Sequence, residues 1–286
     1  MSQSLHFAKK LSLLYPWIST PLIVSAPMRV MSGPALAVAI SRAGGLGASC
    51  LIQKSSTSSS AFHSLSPANP PLPVGRFKPC AAWLYVPRQG QKDFDYWSDR
   101  IRDASPCTQI WIQIGTIAEA EGLLKGSERP EGSRSWAMAV VDALTRSQIP
   151  LFAAGGIADG RGATAALCLG ASGIVMGTRF LAAEEARIGH GYQREILRAR
   201  DGAGYSPRTI INKSFVEYQA GRPFKELKEL HDQALKAGDS GWGPGGRLAT
   251  YAGASIGLIH EVKKAATIVY DIRKEVLERL SLLQEI

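Results

Sequence analysis

The chain has 286 residues, with 33 Lys and Arg against 24 Asp and Glu, four Cys and 29 Gly. At 45% hydrophobic and 20% charged, it is too apolar to stay disordered and too poor in cysteine for a disulfide miniprotein. No apolar run nears the roughly 20 residues that a bilayer span needs, so a soluble, globular, cytoplasmic protein is expected. The net charge of +9 lies entirely in residues 1–92, which hold nine basic residues and no acid; Asp93 is the first. Bases so scattered are not the clustered blocks of a nucleic-acid arm, and no nucleic-acid partner is expected. The Ser-bearing, acid-free stretch Ser2 to Tyr15 keeps a mitochondrial presequence as the alternative.

Apolar runs alternate with helical spacing along the chain, the pattern of parallel βα units and an α/β fold. Pro21 to Ala26 reads as a buried strand ended by Pro27-Met28, with Ser32 as a helix cap, Pro34 in the first turn and Leu36, Ala39, Ile40 and Ala43 at helical spacing. Gly44-Gly45 closes that helix and Leu46 to Ile52 makes a second strand. The Ser- and Pro-rich stretch Gln53 to Pro73 reads as an exposed loop. Leu72 to Val74 and Cys80 to Val86 are weaker strands, and Tyr96 to Ala104 is a helix with Trp97 and Ile101 on one face. Gln109 to Ile114 is a strand and Thr116 to Leu124 a helix. A polar linker, Lys125 to Arg134, and a further helix, Ser135 to Leu144, precede the strand Ile149 to Ala154. Asp159 caps a helix over Arg161 to Leu169, Gly170 stops it, and Gly173 to Met176 is the next strand. Beyond Ala182 the pattern is helical and polar, interrupted at Gly238 to Gly246. Val262, Ala266, Val269, Ile272, Val276, Leu280 and Leu283 then mark a long amphipathic helix.

Cys50, Cys80, Cys107 and Cys168 have no paired spacing and are expected as reduced, buried thiols; His6, His63, His190, His231 and His260 are dispersed, so no metal site is expected. The informative features are two strand ends. The strand to Ala154 runs into Gly155-Gly156, and one helix later the strand to Met176 runs into Gly177-Thr178. Glycine lets the main chain approach an anion closely, and exposed N–H groups there make a phosphate cradle. In (β/α)8 barrels that cradle commonly follows the seventh and eighth strands.

Four motifs, Ala26-Pro27-Met28, Ala43-Gly44-Gly45-Leu46-Gly47, Ala153 to Ile157 and Met176 to Phe180, match in order and spacing those of the nitronate monooxygenase (2-nitropropane dioxygenase-like) flavoproteins, and the chain resembles that family. Ile211 to Ser214 and Gly241 to Pro244 are similar to its fungal-type members. The resemblance implies a TIM-like (β/α)8 barrel over residues 21–186, preceded by an extension (1–20) and followed by a helical cap segment (187–256) and a C-terminal helix (257–286) packed on the barrel. It implies non-covalent FMN at the barrel mouth, with the phosphate on Gly155, Gly156, Gly177 and Thr178 and with Val175 and Met176 as further cofactor-binding residues. Ala26, Pro27 and Met28 would lie beside the isoalloxazine, and Gln113 would be a further flavin contact. The implied partners are a small-molecule substrate and molecular oxygen, with no membrane.

Family members carry a strand ending in Gln-Gly and then Ala-Gly-Gly-His, whose His is the catalytic base. Here the interval Thr116 to Gln148 has 33 residues and neither a diglycine nor a His. A helix, strand and helix with loops needs on the order of 35–40 residues, so the barrel is expected to be one strand short. His190, in a polar glycine-flanked segment, is the one candidate replacement, His231 and His260 lie on helix patterns, and no catalytic residue is assigned. Because a nitronate is already an anion, its oxidation needs no base, whereas a neutral nitroalkane should be a poor substrate. Two alternatives stand beside this reading: a degenerate, non-catalytic flavin-binding relative, and an FMN oxidoreductase acting on another small molecule in a fungal metabolic pathway.

Overall fold

The computed structural model describes residues 11–28, 30–48, 81–84, 91–113, 150–200 and 209–285. In chain order the elements are β1 (Leu22–Ser25), α1 (Pro34–Arg42), β2 (Ala81–Leu84), α2 (Gln91–Ala104), β3 (Gln109–Ile112), β4 (Phe152–Ala154), α3 (Gly160–Cys168), β5 (Gly173–Met176), α4 (Thr178–Leu181), α5 (His190–Arg198), α6 (Lys213–Gln219), α7 (Phe224–Lys236) and α8 (Ala265–Leu283). Short 3-10 turns sit at Gly238–Gly241 and Ala254–Leu258. Two compact units are formed, Met1–Cys50 with Phe152–Ile286, and Leu51–Leu151. The loop Gln53 to Pro73, the strand Leu72 to Val74, the helices Thr116 to Leu124 and Ser135 to Leu144, the linker between them, and Cys50, Cys80, His6 and His63 lie outside the described residues.

In the larger unit the sheet order is β1-β5-β4, all parallel, with Leu22 opposite Gly173, Ser25 opposite Met176 and Ala154 opposite Val175. β1 and β5 are buried along their whole length, as continuous apolar runs between covered faces should be. A strand start at Leu46 adds to the other edge of β1: Leu46 pairs in parallel with Val24, its N–H donates to Ile23 O, and it accepts from Ser25 N. Gly44, at φ +80°, makes the left-handed turn that ends α1. Gly47 passes so close to α1 that a Cβ there would strike the Ala37 backbone.

The core is built from Ile23, Ile174 and Met176 of the sheet, Leu36 and Ile40 of α1, Ala163 of α3 and Ile268, Val269, Ile272 and Val276 of α8. Burying each large apolar side chain contributes about 1.5–3 kcal/mol before entropy. The position of α8 is set by more than packing. Its Arg273 donates to Ala43 O and Gly44 O at 3.1 Å, satisfying carbonyls left open at the end of α1. Its Glu275 accepts from Gly160 N at 2.7 Å and satisfies the start of α3. Its own first turn is held by Glu185, which accepts from Ala265 N at 2.8 Å.

A second buried cluster joins Leu181 of α4, Tyr192 and Ile196 of α5, Ile210, Ile256 and Ile259, with Met28, Met31 and Trp242 packed against them. Asn212 caps α6 by accepting from Phe215 N at 2.9 Å, and donates to Arg247 O. Glu217 accepts bidentately from Arg247, at 2.8 and 2.9 Å, and also from Arg222. Those bonds, Arg247's first, hold its carboxyl down at about 2.

The smaller unit is a βαβ element. β2 and β3 pair in parallel, Ala81 opposite Gln109 and Leu84 opposite Ile112. Leu84, Trp97 and Ile101 form its core with Ala82, Ile110 and Ile112. By the alternation of strand side chains, Trp83 and Trp111 share the other face, their ring centroids 5.7 Å apart.

Several expectations are corrected. Gly33, not Ser32, holds the cap position of α1, because the Ser32 hydroxyl is taken by Met28 N at 2.8 Å. α2 starts at Gln91, and β4 spans only Phe152–Ala154. Cys107 and Cys168 are free but exposed. His260 is on no helix: Lys263 N donates to Ala182 O and Glu184 N to Lys263 O, which keeps that stretch extended until α8 begins at Ala265. Asp159 does cap α3, accepting from Gly162 N at 3.0 Å.

Ile268→Ala, at a position 1% exposed, should lower unfolding free energy by about 2–5 kcal/mol in urea denaturation, whereas Tyr270→Ala, on the exposed face of the same helix, should change it by less than about 0.5 kcal/mol. Glu217 is a carboxylate with a depressed folded-state pKa, so its stabilising contribution is full above the ordinary value of 4.5 and disappears as the pH falls to about 2. The Tm difference between the wild type and Glu217→Gln should therefore be constant above about pH 5 and shrink through that window.

Candidate active site

Parallel pairing puts every strand's C-terminal end at one edge of the sheet. Because β5 is central, the turn after it, Gly177-Thr178, is flanked by the turn after β1, Ala26 to Met28, and by the turn after β4, Gly155-Gly156. The first two turns are joined directly, Ala26 N donating to Met176 O at 2.9 Å. A Cβ placed on Gly177 would lie 3.6 Å from both Ala26 Cβ and Met28 Sδ, so these two turns share one small volume on the β1 side. The Ala26 to Met28 turn is itself braced, Met28 N donating to Ser32 Oγ and Met28 O accepting from Met31 N, both at 2.8 Å.

On the β4 side, Gly155 and Gly156 adopt φ of +93° and +71°, and a Cβ on either would project into open space. Among the described residues, the N–H groups of Gly156, Gly177 and Thr178 have no backbone acceptor outside the helices and strands, while that of Gly155 points to Val175 O of the ladder that pairs Ala154 with Val175. Amides left unpaired along a glycine turn converge as an anion-binding concavity. The acid that follows them does not oppose an anion. Burial raises the Asp159 carboxyl, but bonds from Gly162 N and from Arg161, whose guanidinium lies 2.6–2.7 Å away, outweigh it and keep the group ionised and occupied. Thr178 adds a hydroxyl. Its Oγ1 accepts from Gly253 N at 2.9 Å, which leaves its own hydrogen to donate elsewhere.

The candidate residues Ala26, Pro27, Met28, Gly155, Gly156, Gly177 and Thr178 thus come together at one sheet edge. Val175 and Met176 sit immediately beneath, 3% and 0% exposed, and offer main-chain atoms only. Gln113 belongs to the smaller unit, where it is exposed at the end of β3 and its Oε1 accepts from Trp83 Nε1 at 3.3 Å. His190 is the exposed first residue of α5. Among the described residues, no hydrogen bond or ion pair links it to the three turns, and His231 and His260 instead face Asp232 and Arg200. Among the described residues there is no cluster of three or more His, Cys, Asp or Glu able to hold a metal ion, and no helix long and apolar enough to cross a membrane.

Three participants escape a reading of the sequence. Ser32 looks like a helix cap and instead orders the Ala26 to Met28 turn. Gly253 lies 75 residues from the Thr178 that it contacts. Tyr192, two residues after His190, has the buried hydroxyl of the region: it donates to Tyr251 O at 2.8 Å, accepts from Tyr251 N at 2.7 Å and lies 3.7 Å from Met31 Sδ. Burial pushes that phenol well above the ordinary tyrosine range. No local spacing marks any of these contacts.

Known proteins place this arrangement. The nitronate monooxygenase family model matches residues 118–213. The chain is 44% identical to the nitronate monooxygenase npaC of Metarhizium robertsii, over 91% of this chain and 92% of that one. It is 28% identical to a nitronate monooxygenase of Neurospora crassa, over 96% and 94%. The alignment with the Metarhizium protein runs over 328 positions; 91% of 286 residues is about 260, so roughly 70 internal positions have no counterpart in this chain. Among solved structures, FabK from Thermotoga maritima superimposes with a TM-score of 0.64 at 24% identity, covering 96% of this chain and 98% of that one. A nitroalkane oxidase from Streptomyces ansochromogenes does so with a TM-score of 0.62 at 18% identity, over 96% and 99%. The parallel strands, the convergent glycine turns and the relatives agree: this chain has a TIM-like α/β fold and belongs to the nitronate monooxygenase family of flavin-dependent oxidoreductases.

Proposed function

We propose that the chain binds FMN non-covalently at this sheet edge and oxidises nitronates, or a related small carbanion-forming substrate, with molecular oxygen. The observation that carries the proposal is the set of three unpaired amides, of Gly156, Gly177 and Thr178, with the open turn at Gly155-Gly156, beside the Ala26 to Met28 turn. They fit a phosphate group, which brings charge and several acceptor oxygens to donors that have no internal partner. In this reading the Thr178 hydroxyl is a fourth donor. Ala26, Pro27 and the thioether of Met28 supply the close, soft surface against which a flat ring packs, and Val175 and Met176 hold the floor rigid from the core. The chemistry supplied by bound FMN is electron transfer from the substrate anion to molecular oxygen.

What the chain's own residues do is bind, orient and shield. No histidine stands between Thr116 and Gln148, and we infer that the family's base is among the positions this chain lacks. A substrate that arrives as an anion loses nothing by this, whereas one that must first be deprotonated at carbon loses the factor of about 10²–10⁴ that a positioned base contributes.

Protein reconstituted with FMN should be yellow, and anaerobic addition of propyl nitronate should bleach it at least about 100-fold faster than neutral nitropropane at the same concentration. Protein that stays colourless after exposure to FMN overturns the proposal, and binding without bleaching identifies a non-catalytic relative. Gly156→Ala places a Cβ at a φ of +71° and into the cradle. It should cost about 1–2 kcal/mol of stability and weaken FMN binding by about tenfold or more, measured by quenching of flavin fluorescence.

A further inference from the structure

We infer that Tyr192 is a positioning residue for the cofactor's phosphate group, acting through Tyr251, Gly253 and Thr178; this rests on the reading of the glycine turns as the phosphate site. Its hydroxyl both donates to Tyr251 O at 2.8 Å and accepts from Tyr251 N at 2.7 Å, so it occupies both polar groups of one peptide residue. On the other side, Ile210 N donates to Thr250 O at 2.8 Å, and Thr209 pairs with Tyr251 in an antiparallel bridge. The stretch 250–253 is therefore held from two directions. Gly253 N then reaches Thr178 Oγ1 at 2.9 Å.

That last contact decides what Thr178 can do. A hydroxyl has one hydrogen, and a group that already accepts from an N–H is biased to donate to something else. With Gly253 fixed on one side, the Thr178 hydrogen is turned toward acceptors on the other, where the Gly177 and Thr178 amides also lie unpaired. Without Tyr192's hydroxyl, the Tyr251 peptide is released and the hydroxyl of Thr178 is free to rotate. The same phenol lies 3.7 Å from Met31 Sδ, in the segment whose N–H closes the Met28 turn, so one side chain steadies both flanks of Gly177-Thr178.

The test is direct binding of FMN and of riboflavin, which lacks the phosphate, by quenching of flavin fluorescence on the full-length apoprotein. Thr178→Val should weaken FMN about tenfold and leave riboflavin within about twofold. Tyr192→Phe keeps the ring in its cluster and removes only the hydroxyl; it should weaken FMN about three- to tenfold, again sparing riboflavin, and add nothing further in the Thr178→Val background. A general loss of packing would instead lower both affinities together. Should Tyr192→Phe fail to fold, amide hydrogen exchange in the unaltered protein supplies the readout: FMN should slow exchange at Tyr251 and Gly253 and riboflavin should not, and equal slowing by both overturns the inference. Equal weakening of both flavins by Tyr192→Phe, or its full effect persisting with Val at 178, overturns the inference. If Thr178→Val lowers the preference for FMN and Tyr192→Phe does not, only this inference fails. If neither Thr178→Val nor Gly156→Ala changes that preference, the reading of the phosphate site itself fails.

Discussion

The pairing of β5 with β1 is the constraint on which the rest of the structure depends. It joins residues 22–25 to residues 173–176 in parallel register, and both strands are buried along their length. Parallel strands share a direction, so the turns after β1, β4 and β5 emerge at a common edge. Because β5 is the middle strand, its Gly177-Thr178 turn is the one within reach of both others. Pairing β5 at the other edge of β4 would separate the Ala26 to Met28 turn from the glycines, and no arrangement of side chains could restore the site.

Covering this sheet falls to α8, the helix that closes the last βα unit after a long insertion. Electrostatic detail fixes its lengthwise position where apolar packing alone would allow sliding. Arg273 meets the carbonyl end of one neighbouring helix and Glu275 the amide end of the other, each charge matched to the sign of the helix end that it faces. Gly160 is the complement of Glu275, since a side chain there would collide with it. The insertion in turn bends back over the sheet edge, and its Gly253 contact with Thr178 links the closing half of the unit to its opening turn.

The features legible in the sequence are those whose cause is local. GIVM between glycines is a strand because nothing else buries four such residues, and Asp159 caps α3 because its carboxylate reaches an amide three residues away. The glycine turns announced themselves as a pair at strand ends. What could not be read depends on distant partners. Ser32 had the look of a cap, but the geometry of the preceding turn offered its hydroxyl a nearer donor in Met28 N. His260 falls on a helical spacing, yet the bridge between Ala183 and Lys263 keeps its neighbours extended. Cys168 ends α3 on an exposed face that composition alone cannot reveal. Tyr192 stands two residues from a histidine of more obvious chemistry, and its contacts are to a peptide 59 residues further on.

The separation of β1 from α8 along the chain also has a bearing on how the protein is made. Ile23 and Ile40 have their apolar partners in Ile268 to Val276, about 240 residues later. At ribosomal rates of about 5–20 residues per second, the first βα unit waits roughly 10–50 s before the helix that shields it exists. Until β5 is made, about 150 residues after β1, an apolar strand with an unpaired edge is presented to other nascent chains. The smaller βαβ unit, whose contacts are local, can form in the meantime. Expression yield is therefore expected to depend on chaperone capacity and growth temperature more steeply than the stability of the finished molecule would indicate.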